Sequence, residues 1–456
     1  MKQTLSNGTI ALYALPALPL AALTLPLYSF IPIFYAEALG LSLASLGLVL
    51  FLVRLFDAVN DPMIGWLSDR FRTRLTNRFG RRRSWFAASI PLVMLGVWNL
   101  FWPPQDAGVA HVGLWTLVLS VGYTCAILPF SAWGAELLTS YQGRSRVAGW
   151  REGMTLVGTL VAISVPFSLG WANAGEFHGF ALLAVIVVVT LPVFALLAVN
   201  FAPEPVERSH TRVSLKDGVA HMRQNRPFLR LLLAFFLNGF GNSIAATLFL
   251  LYCAQRLELE ELRGPLIFIY FLSGIIGVPF WSALAKRTSK HRAWCIAMIF
   301  AAIVFCPAPF LPPGSAIAFG IICVLSGLAL GADLMLPSAI QADVIDVDTA
   351  SSGEQRSGSY FALWSLVTKL SLALTVILVL PLLELVGFSA DPAKSSTAVG
   401  ISLLGFLYGW GPIAFKLPAL VMMWHFPIGA TQVEQLKHQI DTAAAPSDAD
   451  SGRKAN

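Results

Sequence analysis

The chain has 456 residues, 56% of them hydrophobic and 12% charged, with a mean hydropathy of +0.69. That balance excludes an ordinary soluble globular domain. The net charge of +6 sits in short loops with few aromatics between the basic residues, which argues against nucleic acid and for anionic lipid headgroups.

Apolar runs of about 20 residues, the length that crosses about 30 Å of hydrocarbon, recur from near the N-terminus to Met423. They predict an all-α integral membrane protein with about twelve transmembrane helices, at 10–35, 41–68, 84–103, 110–133, 149–172, 178–201, 227–253, 262–285, 292–311, 315–340, 357–388 and 397–425. The first run follows Lys2 but continues to Tyr35 without a small-residue cleavage site, so it reads as a retained helix bent by its prolines.

The second run contains "RLFDAVNDPMIGWLSDR" (54–70). Arg54, Asp57, Asn60 and Asp61 are three and four residues apart, so they share one helix face and its shoulder. An ionisable group at mid-span costs roughly 2.5 to 3.5 kcal/mol unless paired or wetted, so both acids must face the interior. Two carboxylates and a carboxamide make an oxygen-rich site for a hard monovalent cation, Na⁺ at Asp57 and Asp61 and not a transition metal. The same pair can hold a proton. From the residues alone, an Arg54–Asp57 structural pair and metal-assisted catalysis stay open.

Further along the chain, Lys and Arg fall in alternate connections: Arg70 to Arg83, Arg208 to Arg230, and Lys286 to Arg292. The positive-inside rule then sets both termini and the even-numbered connections in the cytoplasm, and the short loops suit a bacterial inner membrane. An offset of 217 residues lays "PMIGWLSDR" (62–70) on "PFWSALAKR" (279–287), and "ELLTSYQGRSR" (136–146) pairs with "DVIDVDTASSGEQR" (343–356). The chain therefore divides into six-helix bundles at 1–201 and 227–428, a polar linker at 202–226, and a tail at 429–456 expected to be disordered. At the same offset Asp57, Asn60 and Asp61 fall on Gly274, Gly277 and Val278, so the helix does not need the acids in order to form. The five cysteines are scattered through the spans without metal spacing.

"FLVRLFDAVNDPMIGWLSDR" resembles the second-helix signature of the glycoside–pentoside–hexuronide:cation symporters, the melibiose permease-like group of the major facilitator superfamily. The resemblance covers nearly the whole chain. It implies a major facilitator fold, alternating access, no cofactor, and a coupling Na⁺, Li⁺ or H⁺ held by Asp57, Asn60 and Asp61 with a fourth-helix Thr, here Thr124. It also implies substrate or coupling roles for Arg151 and Lys369. "GWLSDR" with "GRRR" (80–83) is similar to the superfamily loop Gly-x-x-x-Asp-Arg-x-Gly-Arg-Arg, interrupted by an insertion from Phe71 to Phe79. Arg54, Gly65, Asp69, Arg70, Asp343, Asp346 and Arg356 are the candidates for a conformational switch, with Asp69 meeting cations or a helix N-terminus in one state.

The acids by which galactoside-transporting members hold sugar, in the first and fourth helices, are absent: the chain reads "YALPALPLAAL" (13–23) and "ILPFSAW" (127–133) there. Trp133, Trp150 and Trp364 are candidate stacking surfaces for a solute. The expected activity is cation-coupled symport of a sugar or glycoside by a monomer in the bilayer. Animal lysophospholipid symporters resemble the same family and share the "LP…DVID" stretch (336–346), so a lysolipid is the alternative substrate. A membrane prenyltransferase is the enzyme alternative, weakened because Asp343 to Asp348 lie at the end of a span.

Overall fold

The computed structural model describes residues 5–27, 31, 34–35, 39, 41, 43–70, 76, 80–138, 140–168, 178–205, 221–354, 356–388 and 396–444. Its helices are α1 (Asn7–Ala14), α2 (Ala17–Leu25), α3 (Leu43–Arg70), α4 (Arg81–Phe101), α5 (Val109–Leu137), α6 (Tyr141–Ser168), α7 (His178–Phe201), α8 (Arg226–Leu251), α9 (Arg263–Arg287), α10 (Lys290–Phe305), α11 (Ala316–Ser352), α12 (Ser357–Leu385), α13 (Ala398–Trp424) and α14 (Ala430–Ala444). Among the described residues, four starts are capped by side-chain oxygens: Ser6, Asn225, Ser289 and Thr397 accept from the backbone N–H of Thr9, Phe228, Arg292 and Gly400. Gly353, at φ 69°, ends α11 in the left-handed region where glycine carries no Cβ strain.

Among the described residues, nine helices are long and apolar enough to cross a membrane. α3, α6 and α12 have the same reach, at 28, 28 and 29 residues; α3 carries Arg54, Asp57 and Asp61, α6 Arg144 to Glu152, and α12 Lys369. With α1 and α2 as one bent span, the predicted helices from 41–68 onward all find a counterpart.

The two halves pack alike. α3 lies on α5 as α9 lies on α11, α2 on α6 as α8 on α12, and α4 on α5 as α10 on α11. Pro62 and Pro279, paired by the sequence offset, both lie inside helices, α3 and α9. The bundles meet along α3 and α12 on one side and α6 with α9 and α11 on the other.

One hydrophobic core fills the N-terminal bundle, and another fills the far end of the C-terminal bundle. A third joins the halves, setting Ile64, Leu128 and Leu156 among Val278, Met335 and Phe361. The outward faces stay apolar and exposed, as at Leu196, Ile276 and Val421, where hydrocarbon replaces water.

The tail departs from expectation. Residues 430–444 form α14, whose Val433 and Ile440 are buried because they repeat on one helical face against α11. Residues 445–456, and 206–220 of the linker, lie outside the described residues.

Candidate functional site

α3 and α5 run parallel with a fixed offset of 63 residues, so each turn of one faces a turn of the other. Ser120 donates to Asp57 Oδ1, and Thr124 donates to Asp61 Oδ1 at 2.9 Å. The opposite bundle completes the shell from α12. Ser365 donates to Asp61 Oδ2 at 2.9 Å, and Lys369 Nζ stands 2.8 Å from Asp61 Oδ2 and 3.1 Å from Asp57 Oδ2. The Lys369 approach to Asp57 lacks hydrogen-bond alignment, leaving Asp57 Oδ2 held by charge alone. Both acids are buried, and so is Asn60, whose amide nitrogen meets no acceptor. Two carboxylates thus share one ammonium at mid-depth, on the seam between the bundles. Arg54, one turn earlier on α3, is half-buried.

Toward the basic end of the bundles the seam is sealed by charge. Asp69, the penultimate residue of α3, accepts from Arg82 Nη2 at 2.8 Å and from the backbone amides of Gly358 and Ser359 at 2.9 and 2.8 Å. It therefore caps the N-terminus of α12 in the other bundle, where the free amides and the helix dipole favour an anion. Arg82, itself buried, also holds Glu136 through Nε and Nη2, at 3.1 and 2.6 Å. Gly65 allows this contact: a Cβ there would lie 2.6 Å from Ala362 Cβ and 2.8 Å from the Gly358 carbonyl oxygen.

On the other side of the seam, Arg144 of α6 donates to Asp343 at 3.1 Å and to Asp346 at 2.9 Å on α11. Lys290 joins Asp343, and its backbone amide donates to the Tyr141 hydroxyl at 2.7 Å. Arg356 makes a two-pronged pair with Asp348, at 3.1 and 2.7 Å, within the C-terminal bundle. Arg70 lies over the Trp66 ring at 5.5 Å. Glu204, just past α7, accepts the first amides of α4 from Arg82 and Arg83 at 2.8 and 3.3 Å. Burial holds its carboxyl above the usual carboxylate range although those amides pull it down. Among the described residues, the polar contacts that tie the bundles together run from mid-depth to this basic end.

The residues expected to face a solute are dispersed. Arg151 is held by Glu152 through Nε and Nη2, at 3.0 and 2.6 Å, and borders a narrow cleft between the bundles with Gly134, Ser338, Ala342 and Phe361. Trp133 requires correction as a stacking surface. It is wholly buried in the N-terminal bundle, edge-on to Tyr13 at 5.4 Å, and donates to the Pro203 carbonyl, so it offers no face to a solute in this conformation. Trp364 stacks on Phe235 at 3.6 Å, and Trp150 is exposed on α6.

Sequence reasoning missed Ser120, Ser365 and a second buried charge network. In the latter, Lys416 of α13 donates to Asp333 of α11 at 2.9 Å and to Asn238 of α8 at 2.7 Å. Trp294 of α10 and Asn242 of α8 donate to the same carboxylate at 2.8 and 3.0 Å. Four helices of one bundle are tied at a single acid.

Two similar six-helix bundles with a polar seam between them define a multi-pass membrane protein of the major facilitator fold. Residues 12–430 match the family described as MFS/sugar transport protein, and the chain belongs to that family. It is similar to the uncharacterized symporter YnaJ of Bacillus subtilis (strain 168), 25% identical over 80% of each chain. It is also similar to the sodium-dependent lysophosphatidylcholine symporter 1-A of Danio rerio, 22% identical over 96% of this chain and 89% of that protein. The crystal structure of a bacterial homologue of the iron transporter ferroportin in an outward-facing state superposes with a TM-score of 0.68 at 15% identity, covering 92% of this chain and 99% of that one. That last likeness is one of fold.

Proposed function

We propose that the protein is a secondary active symporter that moves a small solute, a sugar or glycoside, together with a monovalent cation, Na⁺, Li⁺ or H⁺. The observation that carries this reading is Lys369 Nζ within 3.1 Å of both Asp57 and Asp61 across the seam. A built-in ammonium stands between two carboxylates whose other oxygen is met by a hydroxyl, a donor set suited to a hard cation. An arriving cation competes with Lys369, takes over its share of the two carboxylates' charge and frees the ammonium to turn toward the solute. Closing the halves over a dry interior then costs less, because no bare carboxylate pair is enclosed. Each ligand accordingly raises the other's affinity.

In this reading the basic end is cytoplasmic, both termini lie there, and the chain works as a monomer in a bacterial inner membrane. The bridges at that end make the conformation one that is shut to the cytoplasm. A lysolipid is the second reading, favoured by the absence of any charge from Asn7 to Leu25 and by the similarity to a lysophosphatidylcholine symporter.

The test is thermal stability of the purified protein against sugars, glycosides, uronates and lysolipids, with Na⁺ or choline at two pH values, because a ligand of the native state raises its melting temperature. A Na⁺-dependent glycoside shift supports the first reading and a lysolipid shift the second. Asp61→Asn should fold and reach the membrane yet lose cation-stimulated uptake; full coupled transport by that variant overturns the cation site.

A further inference from the structure

Two hydroxyls of α5, like that of Ser365 on α12, do not serve their own helix. A buried Thr or Ser in a membrane helix ordinarily satisfies its O–H on the carbonyl one turn back. Buried Thr375 does so, as do half-buried Thr155, Thr159 and Thr190 and exposed Thr368, at 2.6 to 3.1 Å from the carbonyls of Ser371, Arg151, Thr155, Ile186 and Trp364. On α5 the hydroxyls of Ser120 and Thr124 turn instead to the acids of α3.

Thr116 is one turn before Ser120 on the same face, opposite Val53 in the register set by the pairs 57–120 and 61–124. It is 1% exposed, and its Oγ1 meets no donor or acceptor. An unmade buried hydroxyl bond costs about 1 to 3 kcal/mol, which a bond to the helix's own carbonyl would ordinarily avoid. Thr116, Ser120 and Thr124 thus form a ladder of oxygens leading to Asp57 and Asp61. The ladder climbs away from the end sealed by Asp69 and Arg144.

We propose that Thr116 is a way station for the coupling cation, a transient site where its Oγ1 takes the ion before Ser120 and the two acids receive it. The inference rests on the cation-coupled reading and deepens it by naming the route. A hydroxyl oxygen replaces one water of the ion's shell at a time, so the cation enters the apolar space between α3 and α5 in steps and is never stripped in one event. Ser120 passes the ion on because its oxygen keeps a lone pair while its hydrogen stays on Asp57.

The test uses the full-length protein in detergent and compares wild type, Thr116→Val, which keeps the shape and loses the oxygen, and Thr116→Ser, which keeps the oxygen. Na⁺ association and dissociation are followed by stopped-flow intrinsic fluorescence and affinity by calorimetry, with Li⁺ and a pH jump as parallel arms. The valine variant should slow both rates by about tenfold, the kinetic equivalent of one lost contact of ~1.4 kcal/mol, with Kd within about twofold of wild type. Serine should restore the rates. Unchanged rates in Thr116→Val, or a lowered melting temperature that serine does not restore with rates intact, overturn the route. A wild type that answers neither Na⁺, Li⁺ nor the pH jump overturns the cation-coupled reading beneath it.

Discussion

At the scale of single residues the molecule spends most of its polar chemistry on pairs. Among the described residues Lys369 reaches both Asp57 and Asp61, and in the proposed mechanism it competes for the position a Na⁺ would take. Lys369→Ala should therefore bind Na⁺ about tenfold more tightly, the removal of a competitor being worth ~1.4 kcal/mol, while cation binding no longer raises solute affinity. Calorimetric titration of Na⁺ with and without solute reads both effects. Lys416→Met makes the opposite kind of lesion, since it leaves Asp333 buried without its counter-ion. A loss of about 3 to 5 kcal/mol is expected, seen as a lowered melting temperature and partly recovered when Asp333→Asn is added.

At the scale of helices the decisive surface is that between α3 and α12, where Gly65 meets Gly358 and Ala362. Gly65→Val should hold these helices apart by overpacking, a penalty of about 1 to 3 kcal/mol on the closed seam, and transport rate should fall with expression unchanged. The glycine was legible in the sequence because it belongs to a loop pattern, the acids and Lys369 because charge inside an apolar run announces itself, and Thr124 only through the resemblance of the second-helix signature to a known family. Ser120 and Ser365 were not, since a hydroxyl in a helix normally serves its own backbone and nothing in its spelling tells which way it turns. Lys416 and Asp333, in "AFKLPAL" and "GADLMLP", carried the same charge signal as Asp57. Twelve spans followed from length and hydropathy, whereas α14 was hidden because a short polar helix differs little in composition from a solvated tail. Trp133 misled because a tryptophan's apolar area says that it will be covered, not by what.

At the scale of the whole molecule, the halves are held at the basic end by Asp69 on one side of the seam and Arg144 on the other. Removing one partner of the buried Arg144 bridge costs about 3 to 5 kcal/mol and losing a hydrogen bond to the charged Asp69 about 1.5 to 3 kcal/mol, so losing both is comparable to the ~5.5 kcal/mol that turns a 99:1 balance into 1:99. Asp69→Ala with Arg144→Gln should open this end. In a background lacking the native cysteines, a cysteine at Ala339, in the cleft between the bundles, should become reactive to a membrane-impermeant thiol reagent applied from the basic side. Equal labelling of the bridged and unbridged proteins would show that the seam is held elsewhere. α12 links these events mechanically. Its first turn is fastened by Asp69 at Gly358, and eleven residues on, Lys369 is fastened by the acid pair. At 1.5 Å per residue the two fastenings are about 16 Å apart, so a tilt of roughly 10° about Lys369 swings the capped end by roughly 3 Å, a full hydrogen-bond length. In the proposed cation-coupled mechanism the rod acts as a lever: an ion that displaces one ammonium at its fulcrum unhooks a gate it never touches.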